Sequence, residues 1–163
     1  MVTLGLSAKG QMPKRYIIGR SGCSVSLYCD PGKAEENSTP DSSIIYTAEC
    51  TAGDVTWDVI CVRLSAPAPG LTTAAQVLEQ YLDHLRSSYG IVKADGYTRD
   101  LQLHKDPKMP GIRDQWLDKD NNIMKIHGWT NGRYVAVLIA SSLKPLPEAK
   151  VKAFADSFTF PAK

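Results

Sequence analysis

Four cysteines, three histidines and one acid-rich turn hold the residue types with which this chain could do chemistry. Cys23 and Cys29 come first, flanking a five-residue spacer in the stretch GCSVSLYCDPG, a pairing that raises a disulfide, a metal site or a redox couple. The residues between them decide against all three. Cys23, Val25, Leu27 and Cys29 alternate with Ser24, Ser26 and Tyr28, the period-two pattern of a half-buried strand. At about 3.3 Å per residue the two ends of such a strand lie on the order of 20 Å apart. A disulfide needs Cα atoms within about 7 Å, and a structural zinc site uses the closer CxxC spacing. Cys23 and Cys29 therefore read as markers of an inward face. With 23–29 and 44–50 as antiparallel neighbours, and Cys29 opposite Ile44, Cys23 falls opposite Cys50. Free buried thiols acting as small hydrophobes are the first expectation. A Cys23–Cys50 disulfide is the second, for a chain exported to an oxidising compartment.

Asp118, Asp120 and Asn122 in DKDNN stand at the alternate positions that open a calcium loop. The glycine and the bidentate glutamate such a loop needs next are Ile123 and Trp129 here, so a polar hairpin turn is expected, with Asp118 and Asp120 as weak candidates for a cation. SSLK at 141–144 fits the Ser-x-x-Lys nucleophile motif but lacks its partner motifs Ser-Asp-Asn and Lys-Thr-Gly. No phosphate loop, dinucleotide fingerprint or Gly-x-Ser-x-Gly elbow occurs. NST at 37–39 is a glycosylation sequon followed by Pro40. His84, His104 and His127 are scattered, without a defined carboxylate or cysteine partner. No cofactor is expected.

The elements that carry these residues can be read from periodicity. At 163 residues the chain fits one domain with a real core, assigned to 14–163 after a loose N-terminal tail, 1–13. Nineteen basic side chains balance seventeen acidic ones, which argues against a nucleic-acid partner. No apolar run approaches a membrane span, and no signal peptide is visible; the compartment stays open, with export after removal of a leader one reading.

DPGKAEENSTPDSS reads as a mobile loop. Gly53-Asp54 reads as a hairpin turn that pairs Cys50 with Trp57, Ala48 with Val59 and Tyr46 with Cys61. Residues 72–90 form the best helix, with Ala74, Val77, Leu78, Tyr81, Leu82 and Leu85 on one stripe, Thr72 or Thr73 as N-cap and Gly90 as stop. Strand signals follow at TRDLQLH, IRDQWL, NIMKIHGW and RYVAVLIA, then a helix marked by Val151, Phe154 and Phe158. Strands with segregated helices read as α+β.

The strand carrying His127 has the most informative neighbours. A two-residue Asn131-Gly132 turn sets Trp129 opposite Tyr134, and placing Trp116 opposite Ile123 sets Asp114 opposite Lys125. Trp116, His127, Trp129 and Tyr134 then share a mixed aromatic and charged face. With Arg133, they form a candidate binding surface if the terminal helix does not cover them. The loop KDPKMPGIRD, with Met109 at its tip, is a second candidate surface.

The element order, the strand GCSVSLYCDPG, the hairpin before the long helix, the meander GIRDQWLDKDNNIMKIHGWTNGRYVAVLIAS and the closing VKAFADSFTF together resemble the PsbP/Mog-like family. In the closing piece Phe154, Ser157, Phe158 and Phe160 carry the likeness, which spans about residues 14–161. The resemblance implies a central antiparallel sheet with helices on both faces, an α/β/α sandwich. It also implies a non-enzymatic role, since members include extrinsic photosystem subunits, a small-GTPase partner, secretion chaperones and bacterial lipoproteins. The expected function is thus an accessory or binding domain acting on an unidentified protein partner; a small-molecule or metal-ion carrier is the alternative.

Overall fold

The computed structural model describes residues 12–162. Of the tail, residues 1–11 lie outside the described residues, and Met12 and Pro13 take no regular structure. The strands are β1 (Lys14–Ile17), β2 (Ser24–Leu27), β3 (Glu35–Ser38), β4 (Ile44–Ala52) and β5 (Val55–Arg63). After helix α1 (Leu71–Ser88) come β6 (Ile91–Ala94), β7 (Thr98–Gln102), β8 (Pro110–Asp118), β9 (Ile123–Thr130) and β10 (Tyr134–Ser142), and helix α2 (Glu148–Asp156) follows. An antiparallel sheet runs β3-β4-β5-β10-β9-β8-β6, with β7 also paired to β8, while β1 and β2 form a separate two-stranded sheet.

The alternation of side chains explains why the large sheet carries two cores. Trp57, Val59 and Cys61 of β5 and Trp129 of β9 pack with Val25 and Leu27 of β2 and with Val151 and Phe154 of α2. Ile60 and Val62, one residue out of phase on β5, pack instead with Ile126, Val137 and Ile139 and with Leu78, Leu82 and Leu85 of α1. β10 contributes to both cores, which is why YVAVLIA is apolar throughout. Leu78 and Leu82 are fully buried, each stabilising the α1 packing by about 1.5–3 kcal/mol. α1 begins after Gly70, at φ 93°, rather than at Thr72 or Thr73; no side chain caps it, and a backbone only glycine adopts readily makes the start. The β4–β5 hairpin has the expected register, with Cys50 opposite Trp57 and Tyr46 opposite Cys61.

Five expectations need correction. β2 is not a neighbour of β4: it pairs with β1 and lies over the face of the β4–β5 hairpin. That stacking changes the cysteine partners. Cys23 joins Cys61 across 7.1 Å between Cα atoms, and Cys29 joins Cys50 across 5.8 Å, so neither four free thiols nor a Cys23–Cys50 bond describes the protein. Inside 30–43, β3 pairs with β4, so part of the expected loop is an edge strand.

The remaining two corrections are registers. Thr130 faces Val135 and Trp129 faces Ala136. A two-residue turn does not form because Thr130 Oγ1 donates to the Tyr134 carbonyl (2.7 Å) and Asn131 Oδ1 accepts from the Tyr134 amide (2.8 Å), which holds a wider loop. The slip preserves each residue's face. Between β8 and β9, Trp116 faces Met124 and Gln115 faces Lys125, a shift of a single residue, so Asp114 is not opposite Lys125. The Asp118 carboxylate causes it by gathering the amides of Asp120 and Asn122 into the turn, both at 2.9 Å. A one-residue shift turns every β8 side chain to the other face.

Candidate functional site

The corrected β8–β9 register builds a cleft. Gly111 faces Trp129, Arg113 faces His127 and Gln115 faces Lys125, all on the α2 side of the sheet. Val151, Lys152 and Asp156 of α2 form one wall, and Thr98, Leu101 and Gln102 of β7 form the other, enclosing about 630 Å3. Trp129 is the floor. It is buried, and its Nε1 donates to the Ala155 carbonyl at 3.2 Å, which ties β9 to the end of α2. Its ring lies against Gly111 so closely that a Cβ there would overlap the indole, so the floor requires glycine at 111. On the opposite side of the sheet Gly128 admits Leu78 of α1 in the same way.

His127 sits half-buried beside that floor, its ring centroid 6.3 Å from that of Trp129. Burial pushes its pKa down to about 4; the nearby Asp156 opposes this, and the positive charges of Arg113, Lys125 and Lys152 add to it. The imidazole is therefore neutral at pH 7, offering one N–H donor and one acceptor. Lys125 pairs with Glu148 at 3.1 Å, and Lys152 pairs with Asp156 one helical turn away. Among the described residues neither the Arg113 guanidinium nor the His127 ring meets a hydrogen-bonding or ion-pairing partner. The arrangement can hold a polar or charged group between them, over an aromatic base.

No protein-family model matches the chain, and no curated protein matches its sequence. Among solved structures, it is similar to the solution structure of cyanobacterial PsbP (CyanoP) from Synechocystis sp. PCC 6803, at 14% identity and a TM-score of 0.51. That likeness covers 98% of this chain and 96% of the other. The chain has a PsbP-like fold. Identity this low speaks for the fold alone.

Within that PsbP-like frame, the five residues expected to share one binding face do not come together, and Met109 does not tip a second exposed surface. Only His127 and Trp129 line the cleft. Trp116 lies on the α1 face, buried, its Nε1 donating to Asp114 Oδ2 at 2.7 Å. Tyr134 packs near Phe160 (6.2 Å between centroids), and Arg133 is exposed in the β9–β10 loop, where its carbonyl accepts from the Leu64 amide at 3.0 Å. Met109 is partly buried against the α2-side core, its carbonyl accepting from the Leu103 amide at 2.9 Å. Arg113 and Gln115 were missed because the wrong β8 register turned them to the other face; the Asp-Asn-Asn composition of the turn was the available signal.

The other chemical candidates are absorbed by structure. Both Asp118 oxygens bond within the turn, Oδ2 accepting from Asn122 Nδ2 at 2.9 Å. In the Ser-x-x-Lys match, which runs from Ser141 to Lys144, the lysine is engaged, its Nζ pairing with Asp54, and Ser142 between them accepts the Lys144 amide on its Oγ at 3.0 Å. His104 Nε2 meets the Asp156 carbonyl at 3.0 Å.

A second titratable cluster was missed although the sequence carried it. Glu49 and Asp58 are direct partners in the β4–β5 register, on the α1 side. Burial, a shared hydrogen bond and the Glu49 charge push the Asp58 pKa up to about 7. Tyr89, at the C-terminus of α1, is raised to about 12 by burial and by the charges of Asp58, Tyr81 and Glu49. The hairpin register read from Gly53-Asp54 already places these carboxylates face to face.

Proposed function

We propose that the protein is a non-catalytic accessory or binding domain that works through protein–protein contact, with the His127 cleft as its contact surface. The observation that carries this reading is the unpartnered pair of Arg113 and His127 over the Trp129 floor, on a PsbP-like frame. Polar groups held ready by a rigid sheet yet unused by the fold are what a recognition site needs. Residues 14–163 act as one domain, the large sheet lying between α1 on one side and α2 with the β1–β2 layer on the other. The non-catalytic part of the reading is supported by what the other candidates do: Asp118 shapes a turn, the motif lysine Lys144 pairs with Asp54, and His104 meets a carbonyl at the end of α2.

The two disulfides favour an oxidising compartment, because cytosolic thiols are kept reduced. No described helix is long and apolar enough to cross a membrane. A small-molecule carrier is the second reading, favoured by a cleft volume within the range of ligand pockets.

Affinity capture from an extract of the native cells, run in parallel with wild-type protein, Arg113→Glu and a Ser38→Glu control on the far sheet edge, tests the first reading. A discrete partner held by wild type and the control but released by Arg113→Glu is expected. Equal recovery by all three would remove the cleft from the account.

A further inference from the structure

Resting on that reading, we infer that the cleft selects its partner through a carboxylate carried by an acidic peptide segment, gripped by the Arg113 guanidinium beside the His127 ring.

The charges lining the cleft point to this chemistry once those already engaged are set aside. Lys125 and Lys152 are neutralised by Glu148 and Asp156. Asp114 reaches the lining too, but its Oδ1 accepts from the amides of Gly96 (2.9 Å) and Gln115 (2.7 Å), and its Oδ2 from Trp116. Asp95 remains, an exposed side chain on the rim beyond Gln115. On the floor this leaves one uncompensated charge, the Arg113 guanidinium, whose planar fork matches a carboxylate with two parallel hydrogen bonds. His127 stands directly opposite Arg113 in the ladder and, being neutral, adds an N–H donor without repelling the guanidinium. Gln102 and Gln115 supply amide donors and acceptors on either side, suited to the backbone of a bound peptide. Trp129 and Leu101 give its side chains apolar surface.

Binding also has a proton signature. A carboxylate beside His127 favours the imidazolium and raises its pKa from about 4 toward the ordinary value. Asp156 already acts in that direction, and Arg113, Lys125 and Lys152 act against it. The complex therefore takes up protons between about pH 4 and 6.5, where the free protein has released them.

Three probes test the assignment: an acetylated, amidated peptide with two glutamates, the same peptide with glutamines, and glutarate as a free acid. NMR resonances of the His127 ring and the Trp129 indole report binding, and a pH titration gives the His127 pKa with and without each probe. The glutamate peptide is expected to shift both residues and raise the His127 pKa. Arg113→Gln should weaken it at least about tenfold, as for the loss of a charge-assisted pair, and Arg113→Lys should restore part of the loss. Equal binding by the glutamine peptide, or binding unchanged in Arg113→Gln, would overturn the carboxylate assignment while leaving the capture result standing. Glutarate binding as tightly as the peptide would overturn the peptide segment in favour of a small acid.

Discussion

Glu49 stands directly opposite Asp58 in the β4–β5 hairpin, two carboxylates in one ladder position. Like charges in that arrangement repel, and the half-buried position of Asp58 makes its ionised form costlier still. The protein therefore holds a proton on Asp58 that the unfolded chain, with an ordinary pKa near 3.8, has lost.

The consequence is a stability that depends on pH with a defined sign. A pKa raised from 3.8 to about 7 contributes stability that is complete below about pH 4 and is lost as pH rises through 7. His127 does the opposite: its pKa, lowered from 6.5 to about 4, contributes stability present above pH 6.5 and lost as pH falls toward 4. At about 1.4 kcal/mol per unit the upper limits are about 4 and about 3 kcal/mol, so between pH 4 and 6.5 the two slopes largely cancel. Denaturant titrations separate them. Asp58→Asn should remove the decline toward pH 7, making the variant more stable than wild type at pH 8. His127→Gln should remove the acid-side loss and leave stability falling steadily from pH 4 to 7. Superimposable wild-type and Asp58→Asn curves would contradict this.

Cys23 and Cys61 are fully buried, whereas Cys29 and Cys50 are half-buried, so the disulfides should differ in accessibility. Peptide mapping of the unreduced protein is expected to find Cys23 linked to Cys61 and Cys29 to Cys50. Mild reductant without denaturant should open Cys29–Cys50 first. Replacing Cys23 and Cys61 together by Ala should cost about 2–5 kcal/mol, because the β1–β2 layer loses one of its two covalent ties to the sheet. Recovery of a Cys23–Cys50 peptide would refute the layer order.

Gly111→Ala should destabilise by about 1–3 kcal/mol, since the new methyl group enters the space of the Trp129 ring. Trp129 fluorescence should shift as the ring moves off Ala155. Gly128→Ala should cost less, because what its Cβ would meet is the end of the Leu78 side chain. The reverse order of costs would mean that the cleft floor is not built as described.

Asp114→Ala should cost about 1–3 kcal/mol in thermal or chemical unfolding, by leaving the buried Trp116 N–H without its acceptor and freeing the amides of Gly96 and Gln115. Asp114→Asn retains an acceptor oxygen and should cost less. Equal losses would show that charge, rather than hydrogen bonding, dominates.

Much of this was written in the sequence where hydrophobic alternation is strict. The Gly53-Asp54 hairpin, the α1 stripe and the two-faced β10 all follow from periodicity, and so does the separation of Met124, Ile126, Val135, Val137 and Ile139 from the His127 face. What escaped was decided by polar side chains in turns and by packing at a distance. Asp118 winding its turn around Asn122 moved β8 by one residue and exchanged Trp116 for Arg113 in the cleft. Nothing in the pattern of β2 distinguishes a strand beside β4 from a strand stacked over it, since both bury Cys23, Val25 and Leu27. Only the stacked arrangement brings Cys23 to Cys61.

The central claim, that partners engage the His127 cleft, is tested most directly by a photo-crosslinking residue at Gln115, exposed beside Arg113 on the cleft floor, with Ser38 on the far edge strand as control. Illumination in an extract of the native cells should yield a discrete adduct from position 115, lost in the Arg113→Glu background and absent from position 38. The same adduct from both positions, or one from 115 that survives Arg113→Glu, would contradict the account.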